Sequence, residues 1–113
     1  MSVSRNGFLG EFEQIVLLTI VRLSGGAYGM AIRQEIELRV GRSIAIGSVY
    51  AALDRMERKG YLTSDVGDPT PVRGGRAKRF YALQAPGAEA LRSSREVLSG
   101  LWDGLTIDTE SFA

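Results

Sequence analysis

Two short runs favour extended structure in this chain, and they lie side by side in the sequence. Residues 61–66 (YLTSDV) and 79–83 (RFYAL) are rich in β-branched and aromatic side chains. Twelve residues separate them, GDPTPVRGGRAK, dense in glycine, proline and cations. That spacing is too long for a tight turn and predicts a hairpin with a long, mobile loop. One hairpin cannot bury a core alone. Helices must therefore supply the core, and the expected class is mainly α with a small β-hairpin.

The remaining sequence supplies them. In EFEQIVLLTIVRL, residues 11–23, Phe12, Val16, Ile20 and Leu23 recur at helical spacing, and Ile15 and Leu17 widen the stripe. A helix so broadly apolar is expected between other elements, and Ser24-Gly25-Gly26 stops it. A second helix is expected over residues 28–40, with Ile32, Ile36 and Val40 stacked, a Glu35–Arg39 pair on its outside and Gly41 as its end. A third is expected over residues 47–59, with Val49, Leu53 and Met56 buried, Ala52 beside them and Gly60 as a left-handed cap. Its opposite face carries Gly47, Ser48, Ala51, Asp54, Arg55 and Arg58, and Tyr50 falls on the boundary. A last helix starts near Pro86 and runs to about residue 106. Leu91, Ser94, Leu98, Leu101 and Leu105 follow an a/d heptad there, with Trp102 adjacent.

Composition excludes much chemistry. The 113 residues include no cysteine and no histidine. Disulfides, thiolate nucleophiles and imidazole bases are thereby excluded, and so are nearly all zinc sites. Glu35 and Glu37 do not share a helix face, and Gly74-Gly75-Arg76 lacks the Lys-Ser/Thr of a phosphate-binding loop. No enzyme, metal site or cofactor is expected. No apolar run is long enough to span a membrane. A cytoplasmic protein is the expectation.

Charge is distributed unevenly. Net charge is +1 overall, but residues 39–79 hold nine basic side chains against four acidic ones, while both flanks are net negative. A basic centre of this kind attracts polyanions. Three helices followed by a hairpin with a cationic loop describe a winged helix-turn-helix, expected over residues 8–84, with a dimerisation helix over 85–106. The third helix is of a size to enter the major groove of double-stranded DNA, and the hairpin then reaches the neighbouring backbone. Candidate DNA contacts are Arg42, Ser48, Tyr50, Ala51, Arg55 and Arg58, with Arg73, Arg76, Lys78 and Arg79 in the wing. Each has a plainer alternative. Ser48 can cap the third helix, Tyr50 can pack on the second, and the arginines can form a solvated face. Asp54 either reads a cytosine amino group or pairs with Arg58, and the pair is the preferred reading. A winged helix that binds protein instead of DNA is the alternative function, and such domains typically lack a basic wing.

The stretches YGMAIRQEIE, GSVYAALDRMERKGYL and GGRAKRFYAL, followed by APGAEAL, resemble the PadR family of transcriptional regulators, in particular its short members. The resemblance spans roughly residues 10–105. It implies a homodimeric repressor whose C-terminal helices exchange contacts between the two copies, the dimer reading an inverted repeat. In some members small aromatic or cationic molecules relieve repression. Expected dimer residues are Leu91, Leu98, Leu101, Trp102 and Leu105. Phe8, Phe12, Leu98 and Trp102 are candidates for an effector pocket at that interface, against plain packing between subunits. The family usually has proline where Ala77 stands here.

Overall fold

The computed structural model describes residues 8–67 and 77–112. Four helices and one antiparallel hairpin run in the order α1 (Glu11–Leu23), α2 (Gly29–Val40), α3 (Ile46–Arg58), β1 (Leu62–Val66), β2 (Arg79–Leu83), α4 (Ala85–Trp102). A short 3-10 turn, Thr109–Phe112, follows.

α1 is the axis of the core. It touches α2, α3, β2 and α4, which accounts for its broad apolar girth. Val16, Leu17 and Ile20 meet Ile32 and Ile36 of α2 and the Val49–Leu53–Met56 stripe of α3 in one buried cluster. The stripes expected from helical spacing are thus the buried ones, except that Val40, the last residue of α2, is 44% exposed. α3 keeps its opposite face entirely in solvent.

Backbone geometry fixes the corners. Gly41 and Gly60 adopt left-handed φ values of 76° and 79° after α2 and α3. The Glu37 carboxylate accepts a 2.7 Å hydrogen bond from the Ile44 amide, pinning the turn that aims α3. The hairpin pairs Leu62 with Leu83, Ser64 with Tyr81 and Val66 with Arg79. The loop between α1 and α2 extends this sheet: Tyr28 bridges Phe80, and the Tyr81 amide donates to the Ala27 carbonyl at 2.8 Å.

α4 begins one residue before Pro86 and packs at Gly87 against the Tyr61 carbonyl. Its first half joins the core through Ala90 and Leu91. The helix ends at Trp102, earlier than residue 106, and Leu105 follows a turn closed by its amide onto the Trp102 carbonyl.

Candidate nucleic-acid interface

α3 presents Gly47, Ser48, Tyr50, Ala51, Asp54, Arg55 and Arg58 to solvent, and Val49, Ala52, Leu53 and Met56 to the core. The division follows from 3.6-residue periodicity. Arg42 is exposed in the turn that precedes the helix. All six candidates in and before α3 therefore lie in solvent.

Their local contacts separate the alternatives. Ser48 does not cap α3: the N-cap residue is Ala45, and no side chain caps this end. Its exposed position three residues into the helix leaves the hydroxyl outside the capping geometry. Tyr50 does pack on the second helix, over Gly29, yet is still 48% exposed. Asp54 and Arg58 form a 2.8 Å ion pair on the outer face, as their i,i+4 spacing favours. Arg55 forms no ion pair with a described residue.

The base of the hairpin stands beside this face. The Lys78 ammonium sits 4.2 Å from the centre of the Tyr28 ring, close enough for a cation–π contact. Tyr28 in turn meets Phe80 edge-on, ring centres 5.7 Å apart. A 2.7 Å hydrogen bond from the Gly67 amide to the Lys78 carbonyl closes the strand pair at its outer end. Arg79 donates from Nη1 to Ser64 Oγ at 3.0 Å, and Ser64 donates to Glu57 at 2.6 Å. Tyr28, Gly29, Tyr50, Lys78 and Arg79 line a common depression of about 490 Å³. The start of α2, the hairpin base and Tyr50 at the edge of the outer face of α3 thus meet in one concave surface. Arg73 and Arg76 lie outside the described residues.

Beneath this surface the Tyr81 phenol is pushed above its ordinary value of 10.0, chiefly by burial and next by the Glu57 carboxylate, with Arg79 opposing.

The distal half of α4 and the following turn form a second feature. Leu98, Leu101, Trp102 and Leu105 are each at least half exposed. Leu91 does not belong to this stripe, because it is half-buried against the chain's own core. Phe8 and Leu98, with Leu101, line an apolar groove of about 230 Å³. Of the four expected pocket residues, Phe8 and Leu98 share this groove. Phe12 lines a separate depression with Ile36 and Ile44, on the side of α1 that faces α2. Trp102 lines neither.

Residues that sequence patterning passed over include Gly29, Glu37, Glu57 and Ser64. None of them carried a local signal, because each acts through a neighbour that folding alone brings close.

Three packed helices, a hairpin against them and an exposed third helix define a winged-helix protein. The model of the "Transcriptional regulator PadR-like family" matches residues 17–93. The chain belongs to that family. It is a transcriptional regulator and not an enzyme.

Solved structures agree in fold. A transcriptional regulator from Clostridium thermocellum is 22% identical with a TM-score of 0.64, over 77% of this chain and 79% of that one. RosR of H. salinarum is 24% identical with a TM-score of 0.68, over 87% and 81%. A PadR-like transcriptional regulator from Bacillus cereus is 18% identical with a TM-score of 0.62, over 83% and 93%. No curated protein matches the chain. Among the described residues no helix is long and apolar enough to cross a membrane.

Proposed function

We propose that this regulator binds double-stranded DNA as a homodimer and represses transcription by occupying an inverted-repeat operator. The observation that carries this reading is the depression in which Tyr50, at the edge of the exposed face of α3, meets Lys78 and Arg79 of the hairpin. A helix face flanked by cations on a second element fits a duplex, with α3 in the major groove and the hairpin along the backbone. Arg42, Ser48, Tyr50, Ala51, Arg55 and Arg58 are its contacts on the helix side. Arg73, Arg76, Lys78 and Arg79 are its contacts in the wing.

Support for the homodimer comes from Leu98, Leu101, Trp102 and Leu105, four large apolar side chains within eight residues that are each at least half exposed. Two copies joined there present two recognition helices related by a two-fold axis, which is why the operator is an inverted repeat. Relief of repression by a small aromatic or cationic molecule is assigned to the apolar groove between Phe8 and Leu98, at the edge of the same stripe. The site of action is the cytoplasm.

Fluorescence anisotropy on labelled duplexes across a salt series tests the DNA reading. Each phosphate neutralised should contribute about −0.9 to the slope of log affinity against log salt. Steep, salt-sensitive binding is expected. Absence of binding at low ionic strength points instead to a winged helix that recognises protein.

A further inference from the structure

The hydrogen bonds around Ser64 link three elements. Arg79 pairs with Val66 and Ser64 with Tyr81, so strand alternation puts Arg79, Ser64 and Tyr81 on one face of the hairpin. That face meets α3, where Leu62 and Tyr81 are buried. Glu57 projects toward it from the last turn of α3 and accepts the Ser64 hydroxyl proton at 2.6 Å. Ser64 Oγ in turn accepts from Arg79 Nη1 at 3.0 Å.

A serine hydroxyl that donates to a carboxylate becomes a better acceptor for a second donor, because the two bonds polarise each other. The hydroxyl also stands between the two charges. Glu57 and Arg79 form no direct ion pair, so the guanidinium is held without being neutralised by contact. Among the described residues one of its five N–H groups is engaged, with Ser64.

We propose that Glu57 and Ser64 form a strut that holds the Arg79 guanidinium beside α3, making both of them positioning residues for the DNA contact. This inference rests on the DNA-binding reading above. Without the strut, Arg79 is a long side chain on an exposed strand end and must lose its rotamer freedom when it meets phosphate. With the strut, much of that freedom is already lost in the unbound protein, and the hairpin base and α3 approach the duplex as one rigid surface.

The test is a double-mutant cycle. Ser64→Ala should weaken duplex binding about two- to tenfold with its salt slope unchanged, since no cation is removed. Arg79→Ala should weaken binding and reduce the slope by about 1. In the Arg79→Ala background, Ser64→Ala should have no further effect, and Ser64→Thr should behave as the parent in both. An equal loss from Ser64→Ala with and without Arg79, or no loss in either, overturns the strut. A readout independent of DNA separates the two readings. Nitrogen relaxation of the Arg79 side chain in the free protein should be rigid in the parent and mobile in Ser64→Ala. Equal mobility in the two proteins overturns the strut whether or not the duplex binds, whereas a rigid Arg79 in a protein that ignores all duplexes leaves the strut standing and removes the DNA reading.

Discussion

The ring of Tyr50 lies directly on the backbone of Gly29: a methyl group at position 29 would fall 2.5 Å from the Tyr50 hydroxyl oxygen and from two ring carbons. Tyr50 is therefore aimed by the absence of a side chain on the neighbouring helix. Gly29→Ala must turn the ring outward, which a half-exposed side chain can do cheaply. Stability should change by less than about 1 kcal/mol. Duplex affinity should fall about two- to tenfold, the worth of one hydrogen bond. Thermal melting and anisotropy on the same samples check both parts. Affinity equal to the parent's removes Tyr50 from the interface.

Gly87 presents the opposite case. A Cβ there would lie 2.4 Å from the Tyr61 carbonyl oxygen and 2.8 Å from a Leu83 methyl. The first obstacle is backbone at the junction of α3 and β1, and it cannot swing away. Gly87→Ala should destabilise the fold by about 1–3 kcal/mol, as overpacking does. Thermal unfolding reads it, and a melting temperature unchanged from the parent refutes the close approach of α4.

Much of this was legible in the sequence, and what was not has a common cause. The limits of α1 and β2 agree with the periodicity, and those of α3 differ by one residue, because amphipathic spacing records which face is buried. The Asp54–Arg58 pair was legible because its partners are four residues apart on one helix. The heptad in α4 could not tell a leucine packed on its own chain from one left outside. Leu91 is drawn in because Gly87 lets the start of the helix sit against Tyr61, whereas Leu101 lies well beyond that anchor. The Glu57–Ser64–Arg79 chain, the Glu37 hold on Ile44 and the seat of Tyr50 on Gly29 join residues that are neighbours only after folding. No local pattern encodes them.

Asp54 places a carboxylate on the exposed face of α3 and holds Arg58 with it. Both side chains are mostly exposed, so the pair is worth only about 0.3–0.5 kcal/mol to the fold. Asp54→Asn should leave stability nearly unchanged, tighten duplex binding and steepen its salt dependence, because Arg58 becomes free to meet phosphate. Weaker and less selective binding would show instead that the carboxylate reads a base.

Tyr81 gives the fold an alkaline limit. Burial raises its phenol above 10.0, so the folded state prefers the protonated form. The stabilisation it contributes is complete below 10.0 and is lost as pH climbs from there through the raised value. Ultraviolet titration should find Tyr81 ionising above 10.0, and Tyr81→Phe should flatten the alkaline decline in stability. A decline of the same size in the phenylalanine variant contradicts this assignment.

Leu101 lies in the apolar stripe of α4, 67% exposed. Leu101→Glu puts a charge where two copies would meet, and an unpaired charge in such a seam is strongly disfavoured. Sedimentation should show the parent as a dimer and the variant as a folded monomer with weakened operator binding. A variant that stays dimeric moves the interface elsewhere.

On the proposed function, α3 and the hairpin base of two joined copies read one duplex. Selection of bound fragments from a random pool of double-stranded DNA tests it most directly. The expected outcome is enrichment of an inverted repeat whose half-sites lie about one helical turn apart, or a multiple of it, centre to centre. A pool that emerges unenriched at low ionic strength, or a consensus without two-fold symmetry, would contradict it.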